Sequence, residues 1–123
     1  MIEERINALK KNDEEGFLKE LKNITEVNLK GLDCVRHIIK RNVKKGLLPT
    51  FSHGLVDFEH LYNTLGINGI FETMKTFGYT YQDALGNTYY SKEAMSFGEQ
   101  IFKVFDETIT EFSKDKDYKI NKE

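Results

Sequence analysis

Four residues near the middle of the chain have types and spacing that suit contact with a ligand. The run LYNTLGINGIFETM, residues 61–74, contains Thr64, Gly66, Asn68 and Gly69. Glycine tolerates positive φ and lets a ligand or another backbone approach closely, while Thr and Asn side chains either bind a ligand or satisfy turn backbone. The run predicts a turn from strand to helix, although it lacks the further glycines of a dinucleotide fingerprint and the lysine of a P-loop.

Other residues that could carry chemistry give weaker signals. His53 and His60 lie seven residues apart with Asp57 and Glu59 between them, and this is no recognised metal-ligand spacing, so we predict no metal site. Cys34 is the single cysteine of the chain and falls within a helical pattern. We therefore expect it to be a packing residue of ordinary reactivity. No arrangement of side chains predicts a catalytic site.

Two further groups of residues have competing interpretations. The basic residues from Arg36 to Lys45 could contact RNA, but cations in the last turns of a helix also complement its dipole, so we expect a solvated face. The loop tyrosines could stack on a base, but aromatic loops more often pack against a neighbouring layer. These tyrosines are Tyr79, Tyr81, Tyr89 and Tyr90.

Length and composition limit the class of protein. The 123 residues have a net charge of -2, with 39% hydrophobic and 31% charged residues. These values argue against a disordered tail and against a dedicated nucleic-acid binder. We interpret residues 1–123 as a single segment without an internal domain boundary. Because the chain has no run of about 18 apolar residues and its start lacks the apolar core of a signal peptide, we expect no membrane association and a cytoplasmic location.

Helical periodicity dominates the first third of the chain. We predict a short helix over Ile2 to Lys11 and a long one from about Glu14 to Lys44, which Asn12 and Glu15 would open in a capping arrangement. The apolar stripe of the long helix is predicted to contain Phe17, Leu21, Ile24, Asn28, Gly31, Val35, Ile38 and Ile39.

The period changes after Gly46. Strands are predicted near Leu48 to Phe51 and Leu61 to Ile67, the second leading into a helix that runs to Phe77. Residues 78–90 predict a loop with a small hairpin, and Ser91 is expected to cap a last helix that ends near Ser113. Its predicted stripe contains Ala94, Gly98, Ile101, Phe105, Thr108 and Phe112. The sequence thus predicts a helix-rich α/β chain in which the two long helices pack together. We expect its apolar faces to drive self-association, notably through Phe97, Phe102, Phe105 and Phe112.

Four stretches of the sequence resemble the catalytic subunits of anaerobic, glycyl-radical ribonucleotide reductases. The run NTLGINGIFETM resembles the family's strand-to-helix glycine motif, which is the most specific part of the match. The stretch from NDEEGFLKEL to KKGLLP resembles the long helix that precedes this motif. SFGEQIFKVFDETITEFSKD resembles the helix that follows it, and YKINKE resembles the start of a further turn motif. The resemblance covers nearly the whole chain.

The resemblance implies a fragment of a ten-stranded α/β barrel in a parent enzyme that reduces ribonucleoside triphosphates to deoxyribonucleotides. It implies thiyl radical chemistry with formate as the reductant, deoxynucleotide effectors, a radical-activating enzyme and a homo-oligomer. The radical glycine, the finger-loop cysteine and the zinc-binding cysteines of the family lie outside this segment, so no catalytic, metal or cofactor residue is assigned here. Residues expected near the substrate are Thr64, Gly66, Asn68 and Gly69.

A second hypothesis comes from a different class of protein. The long amphipathic helix could dock a partner helix, so that the chain would be a small helical adaptor module and the glycine run only a tight connection. Coding sequence on either side of this segment discriminates between the two hypotheses. A cysteine finger loop upstream and a glycyl-radical motif downstream would identify the reductase.

Overall fold

The computed structural model describes residues 12–123, and the predicted helix over Ile2 to Lys11 lies outside this range. Two long helices pack together, and short elements lie between and after them in the chain. In chain order the elements are α1 (Glu14–Lys44), α2 (Pro49–Ser52), β1 (Asn63–Leu65), α3 (Ile70–Thr76), β2 (Thr80–Gln82), β3 (Thr88–Tyr90), α4 (Lys92–Ser113) and β4 (Ile120–Lys122).

Helix α1 begins and ends at the predicted residues, Glu14 and Lys44. Its N-cap is Asp13, whose side chain accepts a hydrogen bond of 2.8 Å from the backbone N–H of Gly16. The prediction that Asn12 opens the helix was therefore wrong by one residue. Acidic residues occupy the first turn and basic residues the last, as the helix dipole favours.

The buried face of α1 differs from the predicted stripe in the second half of the helix. Phe17 and Leu21 pack against the core as expected, but Val35 and Ile38 are about half exposed. The face turned inward there carries Leu29 and Arg36 instead. The apolar stripe predicted from hydrophobicity is therefore wrong in this half. Arg36 is buried through specific contacts, whereas Val35 and Ile38 face away from the described part of the chain.

The segment after α1 forms a helical turn, so the strand predicted over Leu48 to Phe51 was wrong. Pro49 occupies the first helical position of α2, where its fixed φ favours a helix and its missing N–H costs no hydrogen bond. The second predicted strand is present but shorter, since β1 contains only residues 63–65.

The remaining central elements follow the sequence prediction. Helix α3 ends just before Phe77, and β2 pairs with β3 as an antiparallel hairpin. Ser91 caps α4 by accepting a 3.2 Å hydrogen bond from the N–H of Ala94. Tyr79 packs on Phe77 and Phe97, and its hydroxyl donates to Glu14 of α1. That hydrogen bond raises the pKa of Tyr79. Through these contacts Tyr79, just before the hairpin, packs against both long helices.

The core lies between the first half of α1, α3 and α4. Its buried residues are Leu65, Met74, Phe77, Ala94, Phe97, Ile101 and Phe105. Phe97 and Phe105 therefore do not form an exposed face for self-association, and that part of the prediction was wrong. Of the four phenylalanines named for this role, Phe102 remains exposed and Phe112 is half-buried.

Strand β4 was not predicted, and it pairs with β1 in parallel. Asn63 lies opposite Ile120, Thr64 opposite Asn121 and Leu65 opposite Lys122. Two hydrogen bonds extend the pair beyond the strands: the N–H of Glu123 donates to Leu65 O at 3.1 Å, and the N–H of Ile67 donates to Glu123 O at 2.6 Å. Parallel pairing places the carboxyl ends of both strands at the same edge.

Candidate functional site

The candidate site is the edge at which β1 and β4 both end. Thr64 is exposed in the middle of β1, and its hydroxyl donates to the Asn121 side-chain carbonyl on β4 at 2.6 Å. The Asn121 amide in turn donates to the Glu123 carboxylate at 3.4 Å. Thr64, Asn121 and Glu123 therefore form a row of polar groups across the pair of strands.

The turn after β1 carries the other three residues predicted for the site. Gly66, Asn68 and Gly69 are all exposed, and they lie between the end of β1 and the start of α3. Gly69 is the N-cap of α3 with φ of 78°, a left-handed conformation that side chains disfavour. Its carbonyl accepts hydrogen bonds from both the N–H and the hydroxyl of Thr73, each at 2.9 Å.

Gly66 differs from Gly69 in backbone conformation. A Cβ built at Gly66 meets no described atom within 4 Å, and its φ lies outside the left-handed region. A Cβ built at Gly69 likewise meets no described atom within 4 Å, so within the described part of the chain neither glycine is required by the close approach of another backbone. The open space above Gly66 leaves its backbone accessible from the edge at which the two strands end.

The site offers hydrogen bonding and no evident nucleophile. A hydroxyl, an amide and a carboxylate lie beside backbone groups, and such a set can bind the hydroxyl groups of a sugar. Asn121 and Glu123 were missed in the sequence because the charged run YKINKE shows no strand periodicity. The sequence of β4 itself carries no signal for these two residues. They could be found only from β1, because any strand that pairs beside Thr64 brings its own polar residues to the same edge.

The histidines and the cysteine lie away from this edge. Nδ1 of His53 is 2.7 Å from Pro49 O, and Nδ1 of His60 is 2.8 Å from the Asp57 carboxylate. Residues 12–123 hold no group of three or more His, Cys, Asp or Glu side chains arranged to bind a metal ion. Cys34 is exposed on α1, so its assignment as a packing residue was wrong.

Arg36 does not belong to a solvated basic face, contrary to the prediction. It is buried near the amino ends of β1 and β4, where one guanidinium nitrogen donates to Leu61 O and the other to Phe58 O at 3.2 Å. The guanidinium carbon lies 4.5 Å from the centre of the Phe58 ring and 4.3 Å from that of Tyr118. The arginine therefore fills a slot between two aromatic rings.

A cleft of about 760 Å³ opens beside this arginine. Lys40 and Lys116 line it, and each has a carboxylate partner, Asp117 at 3.7 Å and Asp33 at 3.3 Å respectively. Hydrogen bonds from Tyr118 and Lys116 lower the pKa of Asp33, while burial and the Asp33 partner raise that of Tyr118. Most of the positively charged side chains that line this cleft thus already have partners within the chain.

Comparison with known protein families decides what this arrangement belongs to. Residues 4–123 match the sequence model of the family described as anaerobic ribonucleoside-triphosphate reductase. The chain belongs to this reductase family. None of the curated protein sequences compared with the chain matches it.

Solved reductase structures share the fold of the chain. The anaerobic ribonucleotide reductase from Thermotoga maritima in complex with dATP and CTP superposes with a TM-score of 0.86 at 27% identity, over 96% of this chain and 19% of that one. The same enzyme with dATP bound in the specificity site gives a TM-score of 0.83 at 29% identity, over 90% and 19% of the two chains. The chain thus spans about a fifth of the length of these reductases.

The reductase match confirms the predicted family and fold class. The helix-rich α/β arrangement corresponds to a segment of the reductase catalytic chain rather than to a complete one. The match gives no support to the alternative of a small helical adaptor. Within residues 12–123, no helix has the length and apolar character needed to cross a membrane.

Proposed function

We propose that the chain forms part of the catalytic subunit of an anaerobic ribonucleoside-triphosphate reductase. The observation that carries the proposal is the family match over residues 4–123, together with the superposition on reductase structures. In the parent enzyme, thiyl radical chemistry with formate as the reductant replaces the ribose 2′-hydroxyl by hydrogen. The radical glycine, the reactive cysteine and the zinc-binding cysteines belong to other parts of that enzyme, and this chain supplies none of them.

The role of this segment is to build one wall of the substrate site. Thr64 lies one residue before the carboxyl end of β1, and Gly66, Asn68 and Gly69 lie just beyond that end, which is where α/β folds bind their ligands. The hydroxyl of Thr64 and the amide of Asn68 are exposed and can hydrogen-bond ribose hydroxyls. Asn121 extends this row onto β4 through its hydrogen bond with Thr64.

The partners of the parent enzyme follow from the same proposal. They are a ribonucleoside triphosphate, deoxynucleotide effectors, a radical-activating enzyme and a second copy of the catalytic subunit, in the cytoplasm. The Thermotoga enzyme has been solved with dATP and with CTP, which supports nucleotides as ligands. No nucleic acid or membrane partner is proposed.

Replacement of a segment tests the function. Residues 4–123 of this chain are inserted into the Thermotoga reductase in place of its matching segment. Formate-dependent deoxynucleotide formation by this chimera is then measured without oxygen. We expect activity from the chimera and none from the 123-residue chain alone. A chimera that folds and binds dATP but forms no deoxynucleotide would contradict the proposal, and so would formate-dependent activity of the isolated chain.

A matched pair of threonine variants tests the assignment of Thr64 within the same chimera. Thr64→Val removes the hydroxyl at the candidate site, and a lost hydrogen bond of about 1 kcal/mol lowers activity roughly fivefold. Thr88→Val makes the same change on β3, an exposed strand of the hairpin outside the site, and should leave activity unchanged. Equal effects of the two variants would remove Thr64 from the substrate site.

A further inference from the structure

Arg36 connects three segments that are far apart in the sequence. It projects from α1, donates to the carbonyls of Phe58 and Leu61, and lies between the rings of Phe58 and Tyr118. Two rings and two carbonyls surround the guanidinium, and only 6% of Arg36 is exposed. A buried cation in this setting is retained only where its hydrogen bonds and ring contacts offset the loss of hydration.

The ring of Tyr118 is itself held in place from α1. Its hydroxyl donates to one oxygen of Asp33 at 2.6 Å, and Lys116 lies 3.3 Å from the other oxygen. Asp33 precedes Arg36 by three residues, so the two side chains leave α1 from neighbouring turns. These neighbouring turns of α1 therefore contact both the residues that precede β1 and the residues that precede β4.

These contacts lie directly before the two strands of the candidate site. Leu61 is two residues before β1 and Tyr118 is two residues before β4. The first hydrogen bond between the two approaches, from the N–H of Asn63 to Lys119 O at 3.2 Å, lies just beyond them. Arg36 thus contacts both chain segments immediately before the first hydrogen bond between them.

Register is the property of this strand pair that the site depends on. The strands contain three residues each, and such a short pair has little stability of its own. A slip of one residue would place Thr64 beside Ile120 or Lys122 and would break its hydrogen bond with Asn121.

We infer that Arg36 is a positioning residue for the substrate site: through Leu61, Phe58 and Tyr118 it sets the register of β1 against β4. The inference rests on the proposed function only in taking this strand edge to be the substrate site. Its structural part stands on the contacts of the described residues. The hydrogen bonds and ring contacts of Arg36 are made with Phe58, Leu61 and Tyr118, which lie outside the candidate site, so its effect reaches the site through the two strands.

Amide hydrogen exchange on the 123-residue chain tests the inference without any nucleotide. In Arg36→Met we expect protection at the amides of Asn63, Ile67 and Glu123 to fall at least about tenfold, with the hairpin amides Asp83 and Gly86 unchanged. Arg41→Met is the control, since Arg41 is exposed on the same helix. Unchanged protection at the strand amides, or an equal loss at all amides, would overturn the inference.

Two further variants keep the test decisive if Arg36→Met does not fold. Arg36→Lys keeps the charge but cannot donate to two carbonyls while stacked between two rings, so it should restore the fold and only part of the protection. Tyr118→Phe keeps the ring and loses the hydrogen bond to Asp33. It should lower the exchange protection of the same amides by a smaller factor than Arg36→Met does. Wild-type protection in both variants would also overturn the inference.

The reductase chimera separates this inference from the proposed function. Arg36→Lys should raise KM for the ribonucleotide by a larger factor than it lowers kcat, because a displaced strand weakens substrate binding. An inactive chimera in which exchange still depends on Arg36 would refute the proposed function alone. An active chimera whose KM is unaffected by Arg36→Lys would refute the positioning role alone.

Discussion

Replacement of Phe97 by alanine should be among the most destabilising single changes in the chain. Phe97 is 1% exposed, and its ring centre lies 4.9 Å from that of Phe77, 5.7 Å from Phe17 and 5.9 Å from Tyr79. A buried Phe→Ala change costs about 3–5 kcal/mol, and each aromatic pair contributes about 0.5–1.5 kcal/mol beyond its buried area. Since small domains are stable by only roughly 5–15 kcal/mol, the expected loss is a large fraction of the total.

Urea unfolding followed by circular dichroism measures this loss. Phe102→Ala is the matched control, because Phe102 lies on the same helix and is 42% exposed; it should cost less than about 1 kcal/mol. Phe97→Leu keeps most of the apolar volume and loses the ring contacts, so its cost should fall between the two. Equal costs for Phe97→Ala and Phe102→Ala would refute the assignment of Phe97 to the core.

Three further predictions follow from particular contacts. Gly69→Ala should lower the free energy of unfolding by about 1–2 kcal/mol because of the left-handed backbone at that residue, whereas Gly66→Ala should be near neutral; equal costs would contradict this account. The pKa of Asp33 is lowered in the folded chain, so its stabilising effect is present above the ordinary value of 3.8 and is lost as pH falls through the lowered pKa. Urea midpoints between pH 2 and pH 6 should therefore fall less steeply towards acid in Asp33→Asn, and an identical pH profile would be inconsistent with the contact. Cys34 in the folded chain should react with a thiol reagent at about the rate of a free cysteine, and strong protection would show that it is buried.

The helices were predictable because their signals are local. Capping residues, end charges and a period of three to four residues identify α1 and α4, and the predicted bounds agree with the structure closely. The glycine-marked step from β1 to α3 was also readable, since Gly69 needs a backbone conformation that few other residues adopt. These features depend on residues within one or two turns of each other.

The features that were missed depend on contacts between distant parts of the chain. Strand β4 forms because Ile120 to Lys122 pair with β1, which lies nearly sixty residues earlier in the chain. Their own sequence lacks the alternation of polar and apolar residues that predicts a strand. Arg36 is buried because two carbonyls and two rings surround it, whereas its neighbours along α1 predict a solvated basic end. The polar row of the site depends on the pairing of β4 with β1, since Asn121 reaches Thr64 only when the two strands lie side by side.

The structure of the Thermotoga chimera with CTP bound is the most direct test of the central claim, that the carboxyl ends of β1 and β4 line the substrate site. We expect at least one group of residues 64–69 or 121–123 within hydrogen-bonding distance of the nucleotide, with Thr64 and Asn121 still paired. The claim would be contradicted by CTP bound in the active site with both strand ends beyond contact distance of the ribose and the phosphates.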